Sequence, residues 1–322
     1  MSQQVRQPPY HLRPNKAVDR FVFIEALRML EKFGLLSDCT YYGFGGPYLE
    51  EFRILYESWP KIDMVSIEEI EEIYKRQKFH LPFRGLRLVY DYFASFLAQY
   101  DPKDRRSIFW LDNTRLESQA FEDLALLLRK VADLSVIKIT LRCEPLDFHD
   151  AKPEERQKKV DDFRGRFDTV LPSPSVEPPP TLESLASLLQ DMVAVASQKA
   201  LRGLNRAYQP LSSFCYADGD GMFTFTGIVC SCDDQQRIRR QFRSWAFANL
   251  DWSPPRLIHL PHLSTKERLH LQKCLPRRGN QGRVLRRALG YLIENDEEKS
   301  EAILKQYADF HRCSPYFMKA IP

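Results

Sequence analysis

A glycine-rich turn between two predicted strands is the first place in the chain where chemistry is expected. The β-branched and aromatic run Cys39 to Tyr42 predicts a strand, and Gly43-Phe44-Gly45-Gly46 follows it directly. A helical pattern comes next, and the segment Asp63 to Ile67 predicts a second strand that ends at Glu68. Glycines let a ligand approach the backbone, and an acid about 20 residues later can accept hydrogen bonds from ribose hydroxyls. The pattern indicates a nucleotide-type site; the alternative is a tight strand–helix turn with Glu68 in solvent.

Polar residues also follow two further predicted strands. Asp91 comes after the strand Leu86 to Tyr90, and Asp112-Asn113-Thr114 comes after the strand Ser107 to Leu111. The carboxyl ends of parallel strands form one rim of the sheet, which is where ligands bind. Asp112 is the best candidate for a general base in a group transfer to oxygen or nitrogen. A structural acid that caps the next helix is the alternative for Asp112.

Strands alternate with helices over the first half of the chain, which predicts the fold class α/β. A helix is expected over residues 15–33, with Asn15 as a candidate N-cap, and a fifth strand over Ser135 to Leu141. The alternation predicts a doubly wound, mostly parallel Rossmann-like sheet. Two alternating runs enclose Asp218-Gly219-Asp220-Gly221, and Asp-Gly turns are typical of β-hairpins. This hairpin would finish the sheet with antiparallel strands.

Changes of composition predict how the chain is divided. Prolines and polar residues over 1–14 predict an extended arm, and residues 15–232 form the expected Rossmann-like domain. A charged stretch and the proline-rich loop PSPSVEPPP indicate a helical and charged insertion at about 147–207. The remainder, 233–322, is expected to be an arginine-rich and mainly helical C-terminal region, in which Arg256 to Leu260 predicts a short edge strand.

Bulk composition predicts a globular protein of the reducing cytoplasm. The hydrophobic fraction of 43% and the charged fraction of 28% are ordinary for folded domains rather than disordered chains. No apolar run is long enough to span a bilayer, and the first residues contain no apolar signal core. The seven cysteines are scattered, and their odd number argues against a complete disulfide set. His259 and His262 have no third ligand nearby, so no metal site is predicted.

The order of these motifs resembles that of class I S-adenosylmethionine-dependent methyltransferases. The segments that carry the resemblance are Tyr41 to Phe52, Val65 to Glu69 and Phe109 to Thr114. The hairpin Tyr216 to Thr226 is also similar to a late motif of one outlier family, described as O-methyltransferase-like. That family is encoded in bacterial conflict and phage-defence gene clusters. The resemblance implies a methyltransferase-like protein of such a defence system.

The resemblance also implies a pocket for S-adenosylmethionine. The glycines would face its methionine end, Glu68 its ribose and Asp91 its adenine, with Asp112 near the sulfonium. The implied cofactor-binding residues are Tyr41, Gly43, Phe44, Gly45, Gly46, Glu68 and Asp91, and the implied catalytic residues are Asp112 and Asn113. The chain departs from the family pattern at Tyr41, where an acid usually orients the amino group of the cofactor. Pro47 stands where a third glycine often lies, so cofactor binding is expected to be altered, weak or lost.

A basic C-terminal region supports an alternative function. A catalytically inactive Rossmann-fold subunit could use it to hold a partner protein of the same gene cluster, or nucleic acid through phosphate contacts. The arginines concerned are Arg237, Arg239, Arg240, Arg243, Arg277, Arg278, Arg283, Arg286 and Arg287. The alternative, which we favour, is that these arginines form solvated helix faces and pair with the acids at Glu294 to Glu298.

Overall fold

The computed structural model describes residues 13–32, 34, 36, 38–103, 105–147, 152–276 and 279–313. Two compact units share the chain, and each is discontinuous. The larger includes Phe23–Cys215 and Asp220–Arg256, and the smaller includes described residues of Pro8–Val22, Tyr216–Gly219 and Leu257–Pro322. Of the predicted arm, residues 1–12 lie outside the described residues.

The described residues form eight strands and eleven helices. The strands are β1 Thr40–Gly43, β2 Asp63–Glu68, β3 Leu86–Tyr90, β4 Ser107–Asp112, β5 Val136–Arg142, β6 Arg206–Asp218, β7 Asp220–Ser231 and β8 Arg256–Ile258. The helices are α1 Pro14–Glu31, α2 Glu50–Ser58, α3 Glu71–Phe79, α4 Phe93–Gln99, α5 Ser118–Lys130, α6 Pro153–Phe167, α7 Leu182–Leu201, α8 Cys232–Phe242, α9 Thr265–Gln272, α10 Gln281–Leu289 and α11 Glu297–Phe310.

The strands form one sheet in the order β3-β2-β1-β4-β5-β7-β6-β8. The pairs β3–β2, β2–β1, β1–β4 and β4–β5 are parallel, whereas β5 and β7 are antiparallel. The hairpin turns at Gly219, whose φ of 104° is accessible to glycine and disfavoured for other residues. The predicted α/β class, with a mostly parallel sheet finished by an antiparallel hairpin, is confirmed.

The larger unit buries both faces of its central strands. On one face, Tyr41 and Trp110 join a core with Phe23 and Leu27 of α1 and Phe52 of α2. Side chains alternate between faces along a strand. Consequently Tyr42 and Phe109 lie on the other face, where their rings stack at 4.5 Å with an interplanar angle of 9°. Only the ends of these strands therefore remain for a ligand.

The segment predicted as a charged excursion contains a regular helix, α6. The Glu155 carboxylate accepts from the backbone N–H of Lys152 at 3.4 Å where α6 begins, and Pro153 occupies its first turn. Its buried residues Val160, Phe163 and Phe167 recur at helical spacing within the charged sequence. This apolar stripe holds α6 in the fold. The helical spacing was not recognised from the sequence because the segment is rich in charged residues and proline.

Asn15 connects three segments of the smaller unit and does not act as the helix cap. It lies within α1, which begins at Pro14, and is only 5% exposed. Its Nδ2 donates to the carbonyl of Ala217 at 3.0 Å and to Asp218 Oδ1 at 3.0 Å, while its Oδ1 accepts from the backbone N–H of Leu260 at 2.9 Å. The expectation that Asn15 is an N-cap was wrong because these long-range bonds occupy its side chain.

Three properties of the described residues limit the chemistry that they could carry out. None of their helices has both the length and the apolar character needed to cross a bilayer. No three of their His, Cys, Asp or Glu side chains converge in a way that could hold a metal ion. All seven cysteines, each within the described part of the chain, are present as free thiols.

Candidate functional site

The order of the strands changes direction between β1 and β4. From β1 the chain moves outward through β2 to β3, and then returns to begin β4 on the other side of β1. Ligands of open α/β sheets bind outside the carboxyl ends of the strands at such a point. We call this space the switch-point crevice.

The register of the strands brings the predicted residues to this crevice. Gly43 pairs with Ser66 in β2 and with Trp110 in β4. Glu68 and Asp112 therefore lie two residues beyond the level of Gly43, one on each neighbouring strand. Strands are about 4.8 Å apart and rise about 3.3 Å per residue, so both acids flank the glycine turn, Gly43–Gly46.

Gly45 has both a left-handed backbone and no room for a side chain. Its φ is 70°, in the left-handed region. A Cβ built on Gly45 would lie 2.6 Å from Leu49 Cδ2, 2.8 Å from Ser66 Oγ and 2.9 Å from a ring carbon of Phe52. The backbone of the turn therefore packs directly against β2 and α2, and only a glycine permits so close an approach.

Gln77 of α3 fixes the shape of the turn. Its side chain is fully buried, and its Nε2 donates to the carbonyls of Phe44 at 2.9 Å and Gly46 at 3.0 Å. Its Oε1 accepts from the hydroxyl of Ser66 at 3.1 Å. One amide thus ties the turn to β2 and α3. The sequence analysis missed Gln77, although its position four residues after the buried Ile73 places it on the inward face of α3.

Replacing Gln77 with Leu is expected to lower the free energy of unfolding by about 2 kcal/mol, because two carbonyls lose their donor. Chemical denaturation measures this loss, and faster amide hydrogen exchange at Leu49 would report a loosened turn. Gln99→Leu is the control, since Gln99 is exposed on α4. An equal effect of both substitutions would contradict the role given to Gln77.

Glu68 is a carboxylic acid held in an unfavourable environment for its charge. It is 9% exposed, and its Oε1 accepts from the backbone N–H of Ile70 at 2.8 Å. Burial raises the pKa of Glu68 to about 7; the hydrogen bond from Ile70 opposes this rise, and the charge of Glu69 adds to it. Near neutral pH the carboxyl group is present in both protonation states, so it can accept hydrogen bonds and also donate one.

Asp91 lies directly beside Glu68 at the end of the adjacent strand. Its backbone N–H donates to the carbonyl of Glu68 at 3.1 Å, and its Oδ1 accepts from the backbone N–H of Tyr92 at 2.8 Å. Two exposed aromatic rings flank it, Tyr90 at 53% and Tyr92 at 66%. This end of the rim therefore offers flat apolar faces next to two carboxylates.

Tyr41 and Phe44 are packed against other aromatic rings. Tyr41 is 1% exposed, and its ring meets Phe52 edge-on at 5.2 Å. A Cβ on Gly43 would lie 2.9 Å from the hydroxyl oxygen of Tyr41. Phe44 contacts Phe93 edge-on at 5.3 Å. At position 41 the chain therefore presents a core phenol, and not an acid, beside the first glycine.

Asp112 and Asn113 end β4 next to β5. Asp112 is half-buried and pairs with Thr140, and the backbone N–H of Asn113 donates to the carbonyl of Thr140 at 3.0 Å. The alternative that Asp112 caps the next helix is wrong, because α5 begins at Ser118 with Glu117 at its N-cap. The acid is thus positioned by the sheet itself.

Several arginines of the C-terminal region pair with acids. Arg237 bonds Asp234 at 3.0 Å, and Arg239 pairs with Asp251. Arg286 bonds Glu301 at 3.0 Å and also pairs with Glu297. Arg277 and Arg278 lie outside the described residues. Phosphate binding by this region would have to compete with these carboxylates.

Comparison with known protein families gives one match that covers nearly the whole chain. A family model with the description "Putative O-methyltransferase" matches residues 8–322. A search of curated proteins found no match.

Solved structures that resemble the chain do so at low sequence identity. LepI in complex with SAM shares 13% identity over 63% of this chain and 46% of its own, with a TM-score of 0.36. An O-methyltransferase family protein from Burkholderia thailandensis shares 12% identity over 66% of this chain and 60% of its own, with a TM-score of 0.34. A Pyrococcus horikoshii protein described as a "putative transferase" shares 9% identity over 64% of this chain and 62% of its own, with a TM-score of 0.36. The matched region spans less than two thirds of each of these chains.

Proposed function

The chain belongs to this O-methyltransferase family, and from that membership we propose that it transfers the methyl group of S-adenosylmethionine to an oxygen atom of an acceptor. The observation that carries the proposal is the glycine turn at the switch-point crevice, with the carboxyl group of Glu68 on the adjacent strand. S-adenosylmethionine, when bound, supplies a methyl group activated by a sulfonium.

The residues of the crevice fit the nucleoside part of such a ligand. The backbone of the glycine turn begins at the end of β1, level with Ser66 and two residues before Glu68 on the adjacent strand. Glu68 has a desolvated carboxyl group that gains from sugar hydroxyls as hydrogen-bond donors. The exposed rings of Tyr90 and Tyr92 offer apolar surface to an adenine.

Asp112 is the residue that we place nearest to the reacting oxygen. It ends β4, across the glycine turn from Glu68, and the sheet register fixes its position. For a hydroxyl acceptor, its carboxylate would take the proton as the oxygen attacks. Asn113, tied to β5 through its backbone, would position the acceptor.

Isothermal titration calorimetry of the full chain with S-adenosylmethionine, and with S-adenosylhomocysteine, tests the proposal. We expect binding of one ligand per chain with a Kd between about 1 μM and 1 mM, the usual range for enzyme substrates. ATP is the control, because it shares the adenosine but lacks the methionine end. Absence of heat with both sulfur ligands, or equal binding of ATP, would contradict the proposal.

The role in bacterial defence that the sequence resemblance implies is a finer part of the proposal, and it is separable from the chemistry. Plating phage on cells that carry the complete gene cluster, with either the natural chain or Glu68→Gln, tests it. Protection that depends on Glu68 would support the role, and equal plating on both strains would contradict it.

A further inference from the structure

A second concave site lies beyond the carboxyl ends of β4 and β5. It is a cavity of about 220 Å³ within the larger unit. Apolar side chains of α6, α7 and nearby loops line much of it, and charged side chains occupy the rest: Leu116, Leu146, Phe163, Pro178 and Leu185, with Arg115, Arg142, Glu144 and Arg166. We call it the arginine cavity.

The three arginines differ in how their charges are balanced. Arg142 bonds Glu144 at 2.8 Å and Asp220 at 3.3 Å, so its charge is compensated. Arg166 donates to the carbonyl of Leu116 at 2.5 Å and forms no ion pair with any described residue.

Arg115 is balanced only loosely. It lies 3.8 Å from Glu117, and both side chains are more than half exposed. An exposed ion pair of this length contributes little. The arginine cavity therefore has one uncompensated guanidinium and one weakly paired guanidinium beside an apolar wall that includes the buried Phe163 and Leu185.

The arginine cavity opens at the same strand end as the switch-point crevice. Arg115 follows Asp112 by three residues, and three residues span at most about 11 Å. A small molecule in the cavity can thus reach toward the oxygen position that we assign to the acceptor. A volume of 220 Å³ is below the range of about 300–1,000 Å³ that drug-sized ligands occupy, so the molecule must be small.

We propose that the arginine cavity binds the acceptor, and that the acceptor is a small monocarboxylate with an apolar body. This inference rests on the proposed function. Guanidinium groups bind carboxylates through paired hydrogen bonds. One uncompensated positive charge matches a monoanion better than a doubly charged phosphate, and the apolar wall requires an apolar body.

Transfer of the methyl group to a carboxylate would require no proton to be removed. A lone pair of the carboxylate oxygen forms the new O–C bond to the methyl carbon, and the S–C bond breaks with its electron pair remaining on sulfur. The products are a methyl ester and a neutral thioether. Because a carboxylate has no proton to lose, this acceptor needs no general base. Asp112 would then affect the electrostatic potential of the site and the orientation of the acceptor.

Calorimetry with three carboxylates of increasing apolar size, acetate, hexanoate and 3-phenylpropionate, tests binding without S-adenosylmethionine. We expect 3-phenylpropionate to bind at least tenfold more tightly than its uncharged amide, 3-phenylpropanamide. Arg166→Gln and Arg115→Gln should each weaken its binding at least fivefold, and Arg166→Lys should retain part of it. Arg105→Gln is the matched control, since Arg105 is a surface arginine before the opposite end of β4.

Binding of none of the carboxylates, equal binding of the amide, or unchanged binding by both variants would overturn the inference. A separate titration with S-adenosylmethionine keeps the two proposals apart. Carboxylate binding without S-adenosylmethionine binding would contradict the proposed function but still support a carboxylate site in the arginine cavity. With both ligands present, mass spectrometry should find the methyl ester of the bound carboxylate, and its absence would contradict the acceptor assignment.

Discussion

Replacing Glu68 with Gln is expected to stabilise the protein at pH 8 and at the same time to weaken its binding of S-adenosylmethionine at least tenfold. Burial raises the pKa of Glu68 to about 7, so at pH 8 the folded protein carries a charge that its surroundings disfavour. Gln keeps the oxygen that accepts from Ile70 and removes that charge. A gain in stability with a loss of ligand is the pattern expected of a strained functional group.

The sign and pH window of the stability effect follow from the raised pKa. Below the ordinary value of 4.5 the carboxyl group is protonated in both the folded and the unfolded chain. As the pH rises from 4.5 to about 7 the unfolded chain loses its proton first, so the folded state loses stability. Above pH 7 the loss is complete. One pKa unit corresponds to about 1.4 kcal/mol, and we expect Glu68→Gln to recover about 2 kcal/mol after allowing for water at the rim.

Thermal unfolding at pH 4 and pH 8 measures this gain, which should be present only at pH 8. Glu57→Gln is the control because Glu57 is an exposed glutamate on α2 that does not contribute to the raised pKa of Glu68. The affinity of the natural chain for S-adenosylmethionine should fall about tenfold from pH 8 to pH 6, since its ribose hydroxyls favour the ionised carboxylate. A Glu68→Gln protein that is less stable at pH 8, or that binds as tightly as the natural chain, would contradict this account.

Replacing Gly45 with Ala is expected to destabilise the protein by about 2–5 kcal/mol and to abolish binding of S-adenosylmethionine. The left-handed backbone costs a Cβ about 1–2 kcal/mol, and forcing it against packed atoms costs about 1–3 kcal/mol more. The colliding atoms belong to Leu49, Ser66 and Phe52, so α2 or β2 must shift. Denaturant unfolding measures the first effect, and calorimetry measures the second.

Gly34→Ala separates backbone strain from packing. Gly34 has a φ of 69°, nearly that of Gly45, but a Cβ built on it meets no atom within 4 Å. We expect this control to cost about 1 kcal/mol and to leave ligand binding unchanged. Equal losses from both substitutions would mean that the glycine turn is not a closely packed surface.

The strands were predictable because their signals are local. Each parallel strand is a short apolar run bounded by glycine, proline or charge, and the hairpin is marked by its Asp-Gly turn. The observed hairpin strands, Arg206–Asp218 and Asp220–Ser231, are longer than their alternating cores because pairing in a sheet extends beyond the pattern. The position of Glu68 at the end of β2 was predictable from the same local signals, and its role at the ribose stays a prediction.

The parts that sequence reasoning missed depend on contacts between distant segments. Gln77 acts on Phe44 and Gly46, more than 30 residues away, and nothing in its own helix specifies those partners. Arg142 and Arg166 reach one cavity from β5 and α6, which no local pattern brings together. The buried ring of Tyr41 also packs edge-on against a distant residue, Phe52, and its implied role at the cofactor stays a prediction.

The most direct test of the central claim is a crystal structure of the full chain with S-adenosylhomocysteine. We expect the ribose hydroxyls within hydrogen-bonding distance of the Glu68 carboxyl group, with the rest of the ligand along the backbone of Gly43–Gly46. A ligand bound elsewhere on the chain would contradict this expectation. So would crystals soaked with millimolar S-adenosylhomocysteine that show no ligand beside Glu68.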